Sequence, residues 1–218
     1  MITLYGEGRG FRVAWLLEEL GVPYRLRPVD LLNGLEDDAE FLAVNPAGFI
    51  PAIVDGEVTM VESIAIMEYL LARYGAGRLA PDADDPAFPA YQQFLHLGEA
   101  GLAGPINVIV AGQILAPESE RDNWSTRWAL RAFEGRRGLV ERQLERTRYM
   151  AGDNFTAADI SVTYALELAQ RTGSASLSGT ERAYLSRTTD RDGYRRAMDV
   201  CHATREWVAS LTGDATAS

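Results

Sequence analysis

The sequence predicts an α/β domain followed by an all-helical domain, and three observations carry that reading. Up to Tyr74, short β-prone runs alternate with helical periodicity. Gly75 to Pro89, rich in glycine, proline, alanine and aspartate, then reads as a linker. Beyond it every periodic segment repeats as a helix does. The domain boundaries this gives are residues 1–76 and 88–218.

Ile2 to Tyr5 is short, apolar and β-prone, and Gly6, Gly8 and Gly10 loosen the turn behind it. Val13, Leu16, Leu17 and Leu20 fall at i, i+3, i+4 and i+7, so a helix runs from Phe11. Gly21 stops it, with Pro23 just beyond. Tyr24 to Val29 alternates like a second strand, and the acidic stretch Leu35 to Glu40 carries a short surface helix ending near Val44. Pro51 leads into the strand Ala52 to Val54; a proline there is a turn device, which a cis bond would serve. An Asp55-Gly56 turn joins that strand to a return strand, Glu57 to Val61. Ser63 sits at an N-cap position for a helix reaching Tyr74. That helix is apolar on two sides, with Ile64, Met67 and Leu71 on one and Ile66, Tyr69 and Leu70 on the other, so it is expected to be sandwiched.

In the second part, Ala87 to about Leu115 reads as one long helix, bent near Gly98, Gly101, Gly104 and Pro105. Arg121 to Arg148 reads as another. Thr156 and Asp159 form a capping box, with Phe155 and Ile160 as its hydrophobic staple. They open a helix whose inward stripe is Ala157, Ile160, Ser161, Tyr164, Ala165 and Leu168. Arg182 to Ser186 and Arg195 to Leu211 close the bundle, and Thr212 to Ser218 is expected to fray.

At 218 residues and 47% apolar, the chain can fill two small cores. The net charge of −10 is spread as −6 over residues 1–80 (6 arginines, 12 acids) and −4 over 81–218 (15 arginines, 19 acids). Acidic surfaces on both halves argue against nucleic acid and anionic membranes as partners. All 21 basic residues are arginine; without lysine there is no Schiff-base chemistry and no P-loop. Cys201 is the only cysteine, which excludes an intrachain disulfide and a CxxC redox pair. With His96 and His202 the only histidines, no metal cluster is expected, and all three residues read as structural. No apolar run approaches about 18 residues, and Met1 leads straight into a strand pattern. A cytoplasmic location is the expectation.

The chemistry centres on NPAGFIPAIVDG, Asn45 to Gly56, followed six residues later by Glu62-Ser63. Together they describe both walls of a small-molecule pocket. The Pro51 turn exposes the Ile50 backbone, whose N–H and C=O can pair with an extended peptide. The helix start at Ser63 offers free N–H groups and a positive dipole end to a carboxylate. Such a pocket suits a short peptide with a free carboxylate.

These motifs resemble the glutathione transferase superfamily, in particular its bacterial-type cytosolic members. The resemblance extends through ITLYG, EGRGF and RVAWLLEELGVPY at the start and GDNFTAADIS in the second half, and so spans nearly the whole chain. It implies a thioredoxin-like N-terminal domain binding glutathione as co-substrate, a C-terminal helical bundle and no metal. It further implies that Glu62 takes the γ-glutamyl ammonium and that the Ser63 hydroxyl and N–H take its carboxylate. The Ile50 backbone, beside a structural Pro51, would contact the cysteinyl part. Many relatives place a lysine near the glycyl carboxylate where this chain has Phe49; Arg9 is the candidate substitute.

An ordinary alkyl thiol has a pKa near 8.5, so such an enzyme must stabilise the thiolate by about 2 units, roughly 3 kcal/mol. The serine and cysteine variants of the family carry that residue in the loop that is here Gly6 to Gly10, which has neither. Tyr5, with Arg9 and Gly10 behind it, matches the spacing of the tyrosine variants. Two readings of Tyr5 stand side by side, the thiol's hydrogen-bond donor and plain packing at the end of a core strand. Backbone N–H groups around Gly10 and Phe11 are the alternative donors. Gly6 and Phe11 depart from the family pattern, which usually has an aromatic at the first position and often a second arginine at the second.

The resemblance implies glutathione S-transfer to an apolar electrophile, a role in detoxification, and a homodimer; the arginine-rich segment at Arg136 and Arg137 is the candidate to meet acids of the other copy. The electrophile pocket is expected between the domains, lined by residues after Gly6 and by the long helix around Glu99, Leu102 and Asn107, with Gly98 to Gly112 making room for a flat or bulky apolar group. Two alternatives stand beside this reading. One is a non-catalytic binding or regulatory protein on the same fold. The other is a glutathione-dependent isomerase or reductase.

Overall fold

The apolar run Ile2–Tyr5 becomes β1, an inner strand of a four-stranded mixed sheet of order β2-β1-β3-β4. In this computed structural model, residues 1–31, 35–121 and 123–202 are described. β2 (Tyr24–Arg27) lies parallel to β1, an arrangement that needs a crossover element between the two strands. That crossover is α1 (Phe11–Leu20), closed by Gly21 in the left-handed region at φ 67°. β3 (Ala52–Asp55) and β4 (Val58–Val61) add antiparallel strands. Asp55 stays paired with Val58, so the hairpin turn falls on Gly56 and Glu57, one residue later than the sequence suggested. α2 (Ala39–Val44) is capped by Asp38, whose carboxylate accepts from the Phe41 N–H. α3 (Ser63–Tyr74) follows β4 after a single residue, Glu62, and packs against α1, β3 and β4.

α1 is buried on more than its apolar stripe. Phe11, Val13, Ala14, Trp15, Leu16 and Leu17 have no exposure, and neither has Arg12. Part of that cover comes from α9 (Asp192–Val200), which the sequence grouped with the helical domain. Tyr194 meets Phe11 and Trp15 edge-on, with ring centroids 5.3 and 5.0 Å apart. Arg191 grips Glu19 with two hydrogen bonds of 2.7 Å, and Arg196 bonds both the carboxylate and the carbonyl of Glu18. The chain therefore divides into Met1–Arg78 with the segment from Asp190 as one unit, and Leu79–Thr189 as the other. The expected helical stretch beyond residue 202 and the expected frayed end lie outside the described residues.

The second unit is helical: α4 (Phe88–His96), α5 (Gly104–Val110), α6 (Trp124–Leu144), α7 (Ala157–Arg171) and α8 (Gly179–Thr189). Phe88–Leu115 runs as one stretch in which two wider π-helical segments, Leu97–Ala103 and Ala111–Leu115, flank α5. By length and composition it would pass for a membrane span. Its Tyr91, Phe94, Leu95, Leu102, Ile106 and Ile109 are nevertheless buried in the unit, as in a core helix. Two of its glycines, Gly98 and Gly112, serve close packing against a neighbouring helix. A Cβ on Gly98 would stand 2.6 Å from the Ser161 carbonyl oxygen of α7, whose hydroxyl donates to the Leu95 carbonyl at 2.7 Å.

α7 is the central helix, buried along most of its length, and it opens on the expected capping box. Asp159 has no exposure and accepts from the N–H groups of Met150 and Thr156 and from the hydroxyls of Thr156 and Tyr184. Burial pushes its carboxyl up to about 6, against the pull of those hydrogen bonds. Arg137 does not await a partner copy. It makes two 2.6 Å bonds to Glu181, a fully buried carboxylate, which tie α6 to α8.

Candidate functional site

Two turns of the first unit meet at the Ile50–Pro51 bond, which is cis. Asn45 braces one of them: its amide donates to the Phe49 carbonyl at 2.6 Å and its oxygen accepts from the Ala47 N–H. The Ile50 side chain lies over the other, the Gly6–Gly10 turn. Gly6, at φ 83°, has no room for a side chain, since a Cβ there would stand 2.6 Å from the Ile50 Cβ. This is the reason for the departure at Gly6: Ile50 fills the space. A Cβ on Gly10 would only reach ordinary contact with Pro51, at 3.4 Å. Ile50 precedes the first ladder pairs of β3, so its N–H and C=O stand outside the sheet pairing.

Glu62 turns the chain from β4 into α3 with φ 69° and ψ 107°, a region that costs a non-glycine residue energy and recurs where a side chain or amide must be aimed. Its carboxylate is exposed. Ser63 is the first helical residue, so Glu62 and not Ser63 occupies the cap position expected for the serine. The first helical bond runs from the Ile66 N–H to the Glu62 carbonyl, leaving the N–H groups of Ser63 to Ala65 ahead of it. Ser63 Oγ accepts instead from Arg12 Nη2 at 2.8 Å. Arg12 is the residue that the sequence reading missed. A lone charged residue inside the run Phe11 to Leu17 was the available signal.

Tyr5 is 6% exposed and belongs to a small core with Phe41 and Ala52. Its ring stacks on Phe41 at 6.1 Å, the Arg27 guanidinium lies over it, and its hydroxyl points to Glu40 Oε1 at 3.5 Å. Arg27 in turn holds Asp38 with two bonds, and these depress the Asp38 carboxyl below the usual carboxylate range. The alternative donors are also engaged: the Gly10 N–H donates to the Glu7 carbonyl and the Phe11 N–H to that of Gly8. Both residues are buried, whereas Gly8 at the opening of the turn is exposed and Arg9 half-buried. Phe49 is 36% exposed.

The residues expected around the electrophile scatter. Leu102 has no exposure and is a core residue, Glu99 is half-buried, and Asn107 is exposed. Cys201 is fully buried, and its thiol is pushed up to about 12, by burial first and then by Glu7 and Glu18, so it stays protonated at neutral pH. A cavity of about 320 Å³ lies at the far end of α1, lined by Leu17, Glu18, Tyr24 and Val200 among others, away from the Gly6–Gly10 turn. Among the described residues no cluster of histidine, cysteine or acidic side chains has the arrangement of a metal site.

A sequence model described as the glutathione S-transferase N-terminal domain matches residues 2–72. Glutathione S-transferase GstB of Escherichia coli K12 is 32% identical over 168 residues, covering 74% of this chain and 80% of that protein. Glutathione S-transferase 3 of Schizosaccharomyces pombe is 30% identical over 186 residues, 78% of this chain and 75% of that one. A theta-class glutathione S-transferase from Xanthomonas axonopodis pv. citri, solved with glutathione bound, superposes with a TM-score of 0.77 at 26% identity, over 90% of this chain and 96% of that one.

Proposed function

Because the chain belongs to the glutathione S-transferase family, we propose that it binds glutathione on its first unit and activates the thiol for attack on an apolar electrophile. The observation that carries this is the Glu62–Ser63 turn. It offers an exposed carboxylate for an ammonium beside a hydroxyl and first-turn amides for a carboxylate, the two charged groups of one amino-acid end. The Ile50 backbone then pairs with the cysteinyl residue, as an edge takes an added strand. This extends the peptide toward the Gly6–Gly10 turn. Arg9, in that turn, is the nearby cation for the glycyl carboxylate.

The direction of the Tyr5 hydroxyl supports the packing reading of that residue, and the engaged N–H groups of Gly10 and Phe11 argue against them as donors. Amides at the exposed opening of the turn, around Gly8, are left to stabilise the thiolate. Glu99 and Asn107 are retained as electrophile-side candidates on the helical unit; Leu102 drops out. Assembly as a homodimer is part of the same reading, without the interchain role first assigned to Arg137.

Calorimetric titration of the protein with glutathione, followed by turnover of a general aryl halide, tests the proposal. Binding with turnover supports the enzyme, and binding without turnover leaves a binding or regulatory module or an enzyme of narrow substrate range. Absence of binding contradicts the site.

A further inference from the structure

Arg12 is among the largest side chains with no solvent exposure, and its Nη2 reaches Ser63 Oγ across 51 residues of sequence. Removing a guanidinium from water is costly, and this group cannot escape the cost by losing its proton. Arg12 is also sealed from any ligand, so whatever it does for recognition it does through what it touches. One of its contacts is the serine at the opening of α3. A serine hydroxyl has one hydrogen and can rotate between donating and accepting. Here its oxygen already accepts from Arg12, which leaves its hydrogen free to be donated to a ligand oxygen. The Ser63 to Ala65 amides, ahead of the first helical bond, point the same way.

We propose that Arg12 is a positioning residue for a carboxylate subsite at the start of α3. It locks Ser63 as a donor and places a permanent positive charge behind it, so that the subsite selects an α-carboxylate over a neutral group of the same shape. The inference rests on the glutathione reading above and deepens it by naming what sets the charge selectivity of the γ-glutamyl end. Arg12 favours that end being bound as an anion; the exposed Glu62 favours its ammonium.

The test compares glutathione with its analogue whose glutamyl α-carboxylate is a carboxamide, titrated by calorimetry into the wild type and into Arg12→Gln, Arg12→Lys, Ser63→Ala and Arg12→Gln/Ser63→Ala. The wild type should prefer glutathione. Arg12→Gln should weaken glutathione about tenfold or more while leaving the carboxamide within about threefold, and the double variant should lose little beyond the single ones, as expected of coupled residues. Arg12→Lys, which keeps the charge, should recover part of the preference, and it carries the test if Arg12→Gln does not fold. Variants of Arg12 that keep the wild-type preference between the two ligands overturn the role of Arg12 alone. A wild type that binds both ligands equally overturns the carboxylate subsite. A wild type that binds neither overturns the glutathione reading beneath it.

Discussion

At the scale of single residues, Tyr5 and Asp159 show how burial decides what a polar group can do. The Tyr5 ring is held by Phe41 and Arg27 with its hydroxyl turned to Glu40, so Tyr5→Phe should leave the thiol pKa of bound glutathione unchanged, followed by thiolate absorbance against pH. A rise of more than about 1 unit would restore Tyr5 as the donor. Asp159 is raised to about 6 from an ordinary 3.8, so the folded state holds its proton more tightly than the unfolded chain does. Its stabilising contribution is complete below about pH 4 and is lost as pH rises through about 6, on the order of 3 kcal/mol. Urea unfolding of the wild type and Asp159→Asn at pH 4 and pH 7 should show the wild type losing ground to the variant at the higher pH. The turn into α3 and the cis Ile50–Pro51 bond were legible as turns because local sequence determines them, although the cap position expected for Ser63 falls on Glu62. Arg12 and the direction of the Tyr5 hydroxyl were not, because both depend on residues 35 or more positions away.

At the scale of elements, periodicity and stop residues located the helices well, and glycine was the residue type most easily misread. The run from Gly98 to Gly112 suggested space for a ligand; instead, Gly98 lies against Ser161 and Gly112 against Thr126. Nothing local distinguishes a glycine that makes room from one that admits a neighbouring helix. Two substitutions separate the cases. Gly98→Ala should cost roughly 1–3 kcal/mol by forcing α7 away from the long helix, measured by urea unfolding. Gly135→Ala, in the exposed interior of α6 with nothing near its Cβ position, should stabilise by about 0.5–1 kcal/mol. The same limit explains α9. Its sequence reads as one more bundle helix, and only Tyr194 against Phe11 and Trp15 assigns it to the first unit.

For the molecule as a whole, the division into an α/β part and a helical part followed from the change in periodicity near Gly75, although the last described helix returns to the first part. Light scattering on the eluting protein should give about twice the 23.9 kDa chain mass if the homodimer forms; the chain mass itself would contradict it. The central claim is that the turn from β4 into α3 anchors glutathione by its γ-glutamyl end. Calorimetric titration of the Glu62→Gln/Ser63→Ala variant beside the wild type tests it most directly. The account predicts glutathione affinity lower by roughly 2–4 kcal/mol, with helix stability falling by no more than about 1 kcal/mol. An affinity equal to that of the wild type would contradict it.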